Sequence, residues 1–224
     1  MKTLPCVEID PAGEAAGVVL WLHGLGASGH DFEGIVPLLE LPRVRFVFPH
    51  APARPVTINA GIVMPAWYDI LRLAGGEGGA EDDAGVRASA HLIEALLLRE
   101  EQLGVPPHRI VLAGFSQGGA MALHVGTRYP RPLLGIMVLS GYEVLVRTRE
   151  AEQTAANRVT PLLACHGRLD PLVPLARGRG AYEAHAHGRP AEWHEFPIAH
   201  EVSLDEIAAI RGWLHARFSP DGAP

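Results

Sequence analysis

The hydrophobic positions of this chain fall into short, nearly continuous runs that alternate with longer stretches of helical period. Strands are predicted for the runs at Val18–Leu22, Val44–Phe48, Ile110–Ala113, Leu134–Leu139, Pro161–Cys165 and Glu192–Phe196. Helices are predicted for the stretches at Asp31–Leu39, Asp83–Leu103, Gln117–Arg128, Leu172–His185 and Ser203–Phe218. Apolar strands that alternate with helices predict an α/β fold with a mostly parallel central sheet and helices on both faces.

The alternation of strands and helices fits a single domain. We divide the chain into an N-terminal lead-in at residues 1–16, an α/β domain at 17–218 and a frayed tail at 219–224. The last helix has the strongest start signal, a Ser203-x-x-Glu206 capping box. Residues 74–82 are glycine-rich and acidic and predict a solvated loop, whereas residues 142–159 carry no motif that points to a function.

Composition and charge narrow the classes of protein that fit. With 48% hydrophobic and 20% charged residues, the chain has enough apolar surface for a full core, which argues against intrinsic disorder. The net charge is −6 and the basic residues are scattered, so we expect no nucleic-acid partner and no polybasic membrane surface. A homodimer formed through an exposed apolar patch is compatible with the sequence.

The cysteines and the N-terminal segment indicate the cellular compartment of the protein. Cys6 and Cys165 are too few for a disulfide framework, which favours a reducing environment. The first fourteen residues contain no apolar run of the kind found in signal peptides or membrane-spanning helices. We therefore expect a cytoplasmic protein without stable membrane insertion.

Gly114-Phe115-Ser116-Gln117-Gly118 is the strongest chemical signal in the chain. The motif follows a predicted strand and opens a predicted helix, which is the context of a nucleophile elbow. In such a turn the serine is held in a strained conformation, and the flanking glycines let strand and helix approach closely. Ser116 is therefore the candidate nucleophile.

A serine hydroxyl needs a base to take its proton and an acid to orient that base. In the order serine, acid, histidine that α/β-hydrolases follow, Asp170 and His200 fit, because each lies after a later predicted strand. Two alternatives stay open at this point. Asp170 could be a helix N-cap, and His166, which also follows a strand, could be the base.

Backbone N–H groups are the candidates for stabilising an oxyanion. The helix that starts at Gln117 presents the N–H of that residue next to the nucleophile. The glycine-rich loop after the first strand of the domain, HGLGASGHDF, could turn the N–H of Leu25 to the same point. We expect His23 to fix this loop by hydrogen bonding and not to act as a base.

Metal and cofactor signatures are weak. The twelve histidines show no HExxH motif and no Cys/His ligand spacing, and the phosphate-binding motif GxxxxGK[ST] does not occur. We therefore expect neither a metal nor a cofactor.

Five blocks of sequence, taken in order, carry a resemblance to a known family. HGLGASGHDF, the FPHAP to MPAWYDI segment, GFSQGGAMAL, HGRLDPLVP and AHEVSLDEI resemble the carboxylesterase and acyl-protein thioesterase family of α/β-hydrolases over about residues 17 to 216. The resemblance implies a single-domain hydrolase fold with no large cap domain. It also implies the roles already reached from the residues, with Ser116 as nucleophile, Asp170 as acid, His200 as base and Leu25 and Gln117 as oxyanion donors.

The expected function is hydrolysis of carboxylic esters with short to medium acyl chains, through an acyl-enzyme on Ser116. The alternatives are an acyl-protein thioesterase or lysophospholipase that acts on long acyl chains and, from another class, a non-catalytic binding protein with a hydrolase fold. The expected partner is thus a small-molecule ester or acyl-thioester substrate. The candidates for substrate contact are Trp67, Leu73, Leu172 and Val173.

Overall fold

The computed structural model describes residues 3–72 and 81–219, and a seven-stranded sheet forms its centre. The strands are β1 (Cys6–Ile9), β2 (Gly17–Leu22), β3 (Val44–Pro49), β4 (Ala53–Val56), β5 (Ile62–Pro65), β6 (Ile110–Phe115), β7 (Gly135–Leu139), β8 (Leu162–Gly167) and β9 (Ala191–Phe196). The helices are α1 (Val36–Leu39), α2 (Asp83–Gln102), α3 (Gln117–Arg128), α4 (Arg149–Glu152), α5 (Leu175–Ala186) and α6 (Leu204–Phe218).

The large sheet has the strand order β1-β3-β2-β6-β7-β8-β9, and all of its pairs are parallel except β1 with β3. Every residue of β2, β7 and β8 is buried, because these central strands are covered on both faces. Helices α2 and α3 pack on one face, and α1 and α6 pack on the other. The structure confirms the predicted α/β architecture. The loops that follow the carboxyl ends of β6, β8 and β9 meet at one edge of the large sheet.

Three strands escaped the prediction from the hydrophobic pattern. The edge strand β1 has only four residues, and it lies within the segment that we treated as a lead-in. Strands β4 and β5 form a separate antiparallel hairpin and each contains a proline, Pro55 and Pro65, which argues against a strand. Proline is tolerated here because a two-stranded ribbon leaves the outer side of each strand without a ladder partner.

Two predicted helices are shorter than expected. The stretch Asp31–Leu39 contains a 3₁₀ turn followed by the four-residue helix α1, which has Pro37 in its first turn. Helix α5 begins at Leu175 and not at Leu172, because Pro174 precedes it with an extended ψ of 138° and disfavours helical geometry in the residue before it.

The segment that carried no motif is held against the helices by charge. In α4, the Glu152 carboxylate accepts hydrogen bonds from Arg87 of α2, Arg128 of α3 and Thr148. Burial alone would raise the pKa of Glu152, but these three donors outweigh it and lower that pKa to about 2. The contacts of this segment therefore include long-range ion pairs, which a local reading of residues 142–159 does not reveal.

The capping box at the start of α6 is only half formed. Ser203 accepts the N–H of Glu206 at 3.2 Å, as predicted. The Glu206 carboxyl is fully buried, and neither of its oxygens has a hydrogen-bond partner among the described residues. Burial raises its pKa to about 8.

Several sequence predictions concern residues that lie outside the described part of the chain. These are most of the predicted loop at residues 74–82 and the tail beyond residue 219. Among the described residues, no helix combines the length and the apolar character that crossing a bilayer requires.

Candidate active site

Ser116 lies at the turn between β6 and α3 in a backbone conformation that is rare for a residue with a side chain. Its φ is 54° and its ψ is −118°. The turn is possible because Gly114 and Gly118 carry no Cβ, since one at Gly114 would collide with the Gly118 carbonyl and one at Gly118 with the Leu22 carbonyl. The Ser116 N–H donates to the Leu139 carbonyl of β7 at 2.8 Å. The sheet therefore fixes the position of the serine.

His200 lies between Ser116 and Asp170, and both of its ring nitrogens are engaged. Its Nε2 is 2.8 Å from the Ser116 Oγ, and its Nδ1 is 2.6 Å from the Asp170 Oδ2. The Asp170 side chain is fully buried, so little water competes for its carboxylate. With the proton on Nδ1, the Nε2 is free to accept the hydroxyl proton of Ser116. The Phe115 ring packs against the imidazole, with 4.8 Å between the ring centroids.

The loop after β8 holds the Asp170 carboxylate in one orientation. Its Oδ1 accepts the N–H groups of Leu172 and Val173 at 2.9 and 2.8 Å, which leaves Oδ2 for His200. These bonds are those of a capping aspartate, the alternative that the sequence left open. The capping and the contact with His200 therefore coexist, each on its own carboxylate oxygen.

His166, the other candidate for the base, lies on the far side of the acid. Its ring is fully buried, and its Nε2 is 2.9 Å from the Val173 carbonyl and 3.7 Å from the Asp170 Oδ2. His200 is the histidine that contacts Ser116, so the geometry favours it as the base. Sequence reasoning missed the contact through which His166 supports the acid's loop, although its position at the end of a strand was visible.

The two N–H groups predicted as oxyanion donors lie at the start of α3 and in the loop after β2. Gln117 is the first residue of α3, where a helix leaves its N–H groups without intrahelical partners and its dipole is positive. Leu25 is half-buried in the loop after β2, next to Gly26, whose φ is +75° and whose N–H donates to the Pro65 carbonyl. The described residues provide no acceptor for the Leu25 N–H.

His23 fixes the start of that loop, as the sequence predicted. The Ala51 N–H donates to its Nε2 at 3.0 Å, so the ring proton is on Nδ1, which donates to the Gly24 carbonyl at 2.7 Å. Burial lowers the pKa of His23, which favours the neutral ring that this pair of bonds requires.

The four candidates for substrate contact are not equivalent. Of the three that the structure describes, only Leu172 is open to solvent, with 60% of its surface exposed beside the acid. Trp67 is fully buried and Val173 is 4% exposed, because both pack into the hydrophobic core on the α2 and α3 face. Their contact with a substrate stays a prediction. Leu73 lies outside the described residues.

This arrangement can perform nucleophilic acyl transfer. It combines a strained serine, a histidine in contact with the serine hydroxyl, a carboxylate that orients the histidine, and a helix N-terminus at the point of attack. Within residues 3–72 and 81–219, no group of three or more His, Cys, Asp or Glu side chains is arranged to hold a metal ion.

Comparison with known proteins agrees with the fold and with the resemblance seen in the sequence. Acyl-protein thioesterase 1 of Gibberella zeae is 34% identical over 220 residues, which cover 93% of this chain and 94% of that protein. A protein of Oryza sativa subsp. japonica, named a probable carboxylesterase, is 34% identical over 95% of this chain and 82% of its own length.

Solved structures give the same result. The crystal structure of acyl-protein thioesterase 2 from Zea mays superposes with a TM-score of 0.85 and 28% identity, over 96% of this chain and 99% of that one. The profile of the family described as phospholipase/carboxylesterase matches residues 5–217. The prediction of a hydrolase with this fold is therefore confirmed, and the chain belongs to the phospholipase/carboxylesterase family.

Proposed function

We propose that this protein cleaves carboxylic esters through an acyl-enzyme formed on Ser116. The observation that carries the proposal is the continuous chain of contacts from the Ser116 Oγ through His200 to the buried Asp170 carboxylate, at 2.8 and 2.6 Å. Hydrogen bonds of this length in this order are what a serine nucleophile needs for activation.

In the proposed mechanism, the Ser116 Oγ attacks the carbonyl carbon of the substrate while His200 Nε2 takes the hydroxyl proton. The carbonyl oxygen becomes an oxyanion, which the N–H groups of Leu25 and Gln117 stabilise. His200 then gives its proton to the leaving alkoxide or thiolate as the bond from the acyl carbon breaks, and an acyl-Ser116 ester remains.

The second half of the reaction uses the same groups with water. His200 takes a proton from a water molecule whose oxygen attacks the acyl-enzyme, and it returns the proton to the Ser116 Oγ when the acid product leaves. Asp170 stabilises the imidazolium that forms in each half without being protonated itself.

We propose esters with short to medium acyl chains as substrates. The second candidate is a thioester or lysophospholipid with a long acyl chain, which is favoured by the names of the thioesterase relatives and by the exposed Leu172 beside the acid. The free thiols of Cys6 and Cys165 support a reducing compartment such as the cytoplasm.

The test of the proposed reaction is the Ser116→Ala variant assayed on a p-nitrophenyl ester. We expect turnover to fall by about 10⁴-fold or more, and labelling by a fluorophosphonate probe to disappear, because among the described residues no other hydroxyl contacts His200. Ser219→Ala, at the exposed end of α6, is the matched control and retains both. A Ser116→Ala enzyme with near-normal turnover would show that Ser116 is not the nucleophile.

A chain-length series separates the two substrate classes. Esters and thioesters with acyl chains from two to sixteen carbons are compared through kcat/KM. A maximum at short esters supports the first proposal, and a maximum at long-chain thioesters or lysophospholipids supports the second.

A further inference from the structure

Trp67 connects the two segments that carry the proposed oxyanion donors, and all of its polar atoms are used. Its backbone N–H donates to the Gln117 Oε1 at 2.8 Å, its carbonyl accepts from Ser89 of α2, and its indole Nε1 donates to the His23 carbonyl at 2.8 Å. The residue is fully buried, so these bonds form where water does not compete.

The contact with Gln117 ties Trp67 to the nucleophile. The Gln117 side chain both accepts the Trp67 N–H and donates its own Nε2–H to the Tyr68 carbonyl at 2.8 Å, as a clamp with two arms. Because Gln117 directly follows Ser116, the position of the Trp67 backbone is set relative to the first turn of α3.

The contact with His23 ties Trp67 to the other donor. The indole bonds the carbonyl of His23, two residues before Leu25, while the His23 ring bonds the Gly24 carbonyl and the Ala51 N–H. The hairpin that leads into Trp67 adds a further link, since the Gly26 N–H donates to the Pro65 carbonyl at 2.8 Å.

We infer that Trp67 is a positioning residue for the oxyanion hole, which it sets by holding the loop of Leu25 at a fixed distance from the N-terminus of α3. The inference rests on the proposed function, because it assigns Trp67 a role in that same reaction. The sequence suggested contact with the substrate for Trp67, and the inference adds a role in the geometry of the two donors.

The physical reason is the steep dependence of an oxyanion hole on distance. Two N–H groups stabilise the developing charge only if both meet the position of the oxyanion, and a displacement of about 1 Å can cost about 100-fold in rate. The two donors lie in different segments, so their separation depends on the contacts between the loop after β2 and the N-terminus of α3. Trp67 makes hydrogen bonds to both segments.

The test compares Trp67→Phe with Trp21→Phe. Both residues are buried tryptophans, but the Trp21 indole lies on the opposite face of the sheet and its Nε1 has no hydrogen-bond partner among the described residues. Each variant removes an indole and leaves a smaller ring, but only Trp67→Phe leaves a buried carbonyl without its donor, so we expect its loss in Tm to be the larger. Only Trp67→Phe removes a hydrogen bond to the oxyanion loop.

We expect kcat of Trp67→Phe on a p-nitrophenyl ester to fall by about tenfold or more below that of Trp21→Phe, with KM changed by less than about threefold. A loss confined to kcat indicates an interaction made in the transition state, which a general loss of packing would not produce. Equal kcat values in the two variants overturn the inference.

A second variant guards against a Trp67→Phe protein that does not fold. Gln117→Met keeps the backbone N–H of residue 117 and the side-chain length, but it removes both arms of the clamp on Trp67 and Tyr68. We expect the same selective fall in kcat, whereas unchanged kcat and KM contradict the inference. Fluorophosphonate labelling of the wild type and of Ser116→Ala tests the proposed function separately, so failure of this role of Trp67 is distinguishable from failure of the reaction.

Discussion

The two sides of Ser116 are built in different ways. On the proton-transfer side, His200 contacts Asp170 and Ser116 directly through side-chain atoms, and one carboxylate does the orienting. On the oxyanion side, the candidate groups are the backbone N–H groups of Leu25 and Gln117. We infer that their positions depend on a buried network of hydrogen bonds, to which Gln117 contributes its side-chain amide.

For turnover, the identity of the side chain matters on the proton-transfer side, whereas the position of the backbone matters on the oxyanion side. A changed atom on the proton-transfer side removes a reacting or orienting group, so its effect on turnover is large. On the oxyanion side the reacting atoms belong to every peptide bond, so only displacement can weaken them. We therefore expect a graded series of effects, which the following variants test from the largest to the smallest.

Asp170→Asn gives the largest effect expected from a single orienting group. The amide keeps the shape of the side chain, but it allows the wrong tautomer of His200, and measured serine-protease triads lose about 10⁴-fold in kcat from this change. The measurement is kcat on a p-nitrophenyl ester. Asp205→Asn, on an exposed residue at the start of α6, is the control and retains activity. A loss smaller than that of Trp67→Phe would reverse the ranking of the two sides.

His166→Leu tests the support beneath the acid. The variant leaves the buried Val173 carbonyl without its donor, and a lost buried hydrogen bond of this kind is worth about tenfold when it shifts an orienting group. We expect kcat to fall by about that factor, well below the effect of Asp170→Asn. His187→Leu, at an exposed position after α5, serves as control. Unchanged kcat would show that His166 does not contribute to the proton-transfer side formed by Asp170 and His200.

Glu206→Met tests the helix that follows the His200 loop, and we expect it to change stability rather than turnover. The folded protein keeps a proton on Glu206 up to pH of about 8, whereas the unfolded chain releases it above about 4.5. The unfolding free energy of the wild type therefore falls as pH rises through this window, by up to about 5 kcal/mol.

The measurement for Glu206→Met is urea unfolding at pH 5 and pH 8. Relative to the wild type, the variant should gain stability as the pH rises and change kcat by less than about twofold. A difference in unfolding free energy that is the same at both pH values would contradict the buried, neutral carboxyl.

The sequence predicts the parts of the candidate site that follow from side-chain chemistry and chain order. Ser116 is predicted from its motif between a strand and a helix, and Asp170 and His200 from their order after later strands, and the structure brings the three side chains into contact. The contribution of Trp67 was missed because its partners, Gln117 and His23, lie 50 and 44 residues away in the chain. A hydrogen bond between residues so far apart leaves no pattern in the local sequence.

The same limit applies to the fold. Central strands such as β2 and β7 were predicted because burial on both faces gives continuous apolar runs. The edge strand β1 and the hairpin of β4 and β5 lack such runs, since each is short and partly exposed. Residues 142–159 are held in part by ion pairs with α2 and α3. The periodicity of the sequence does not predict such pairs.

The backbone of Ser116 has an evolutionary consequence. A positive φ at a residue with a side chain costs about 1 to 3 kcal/mol, and a glycine there would relieve most of it. Selection for stability alone would therefore favour replacement of this serine. A descendant of this chain that lost its activity would be free to make that exchange.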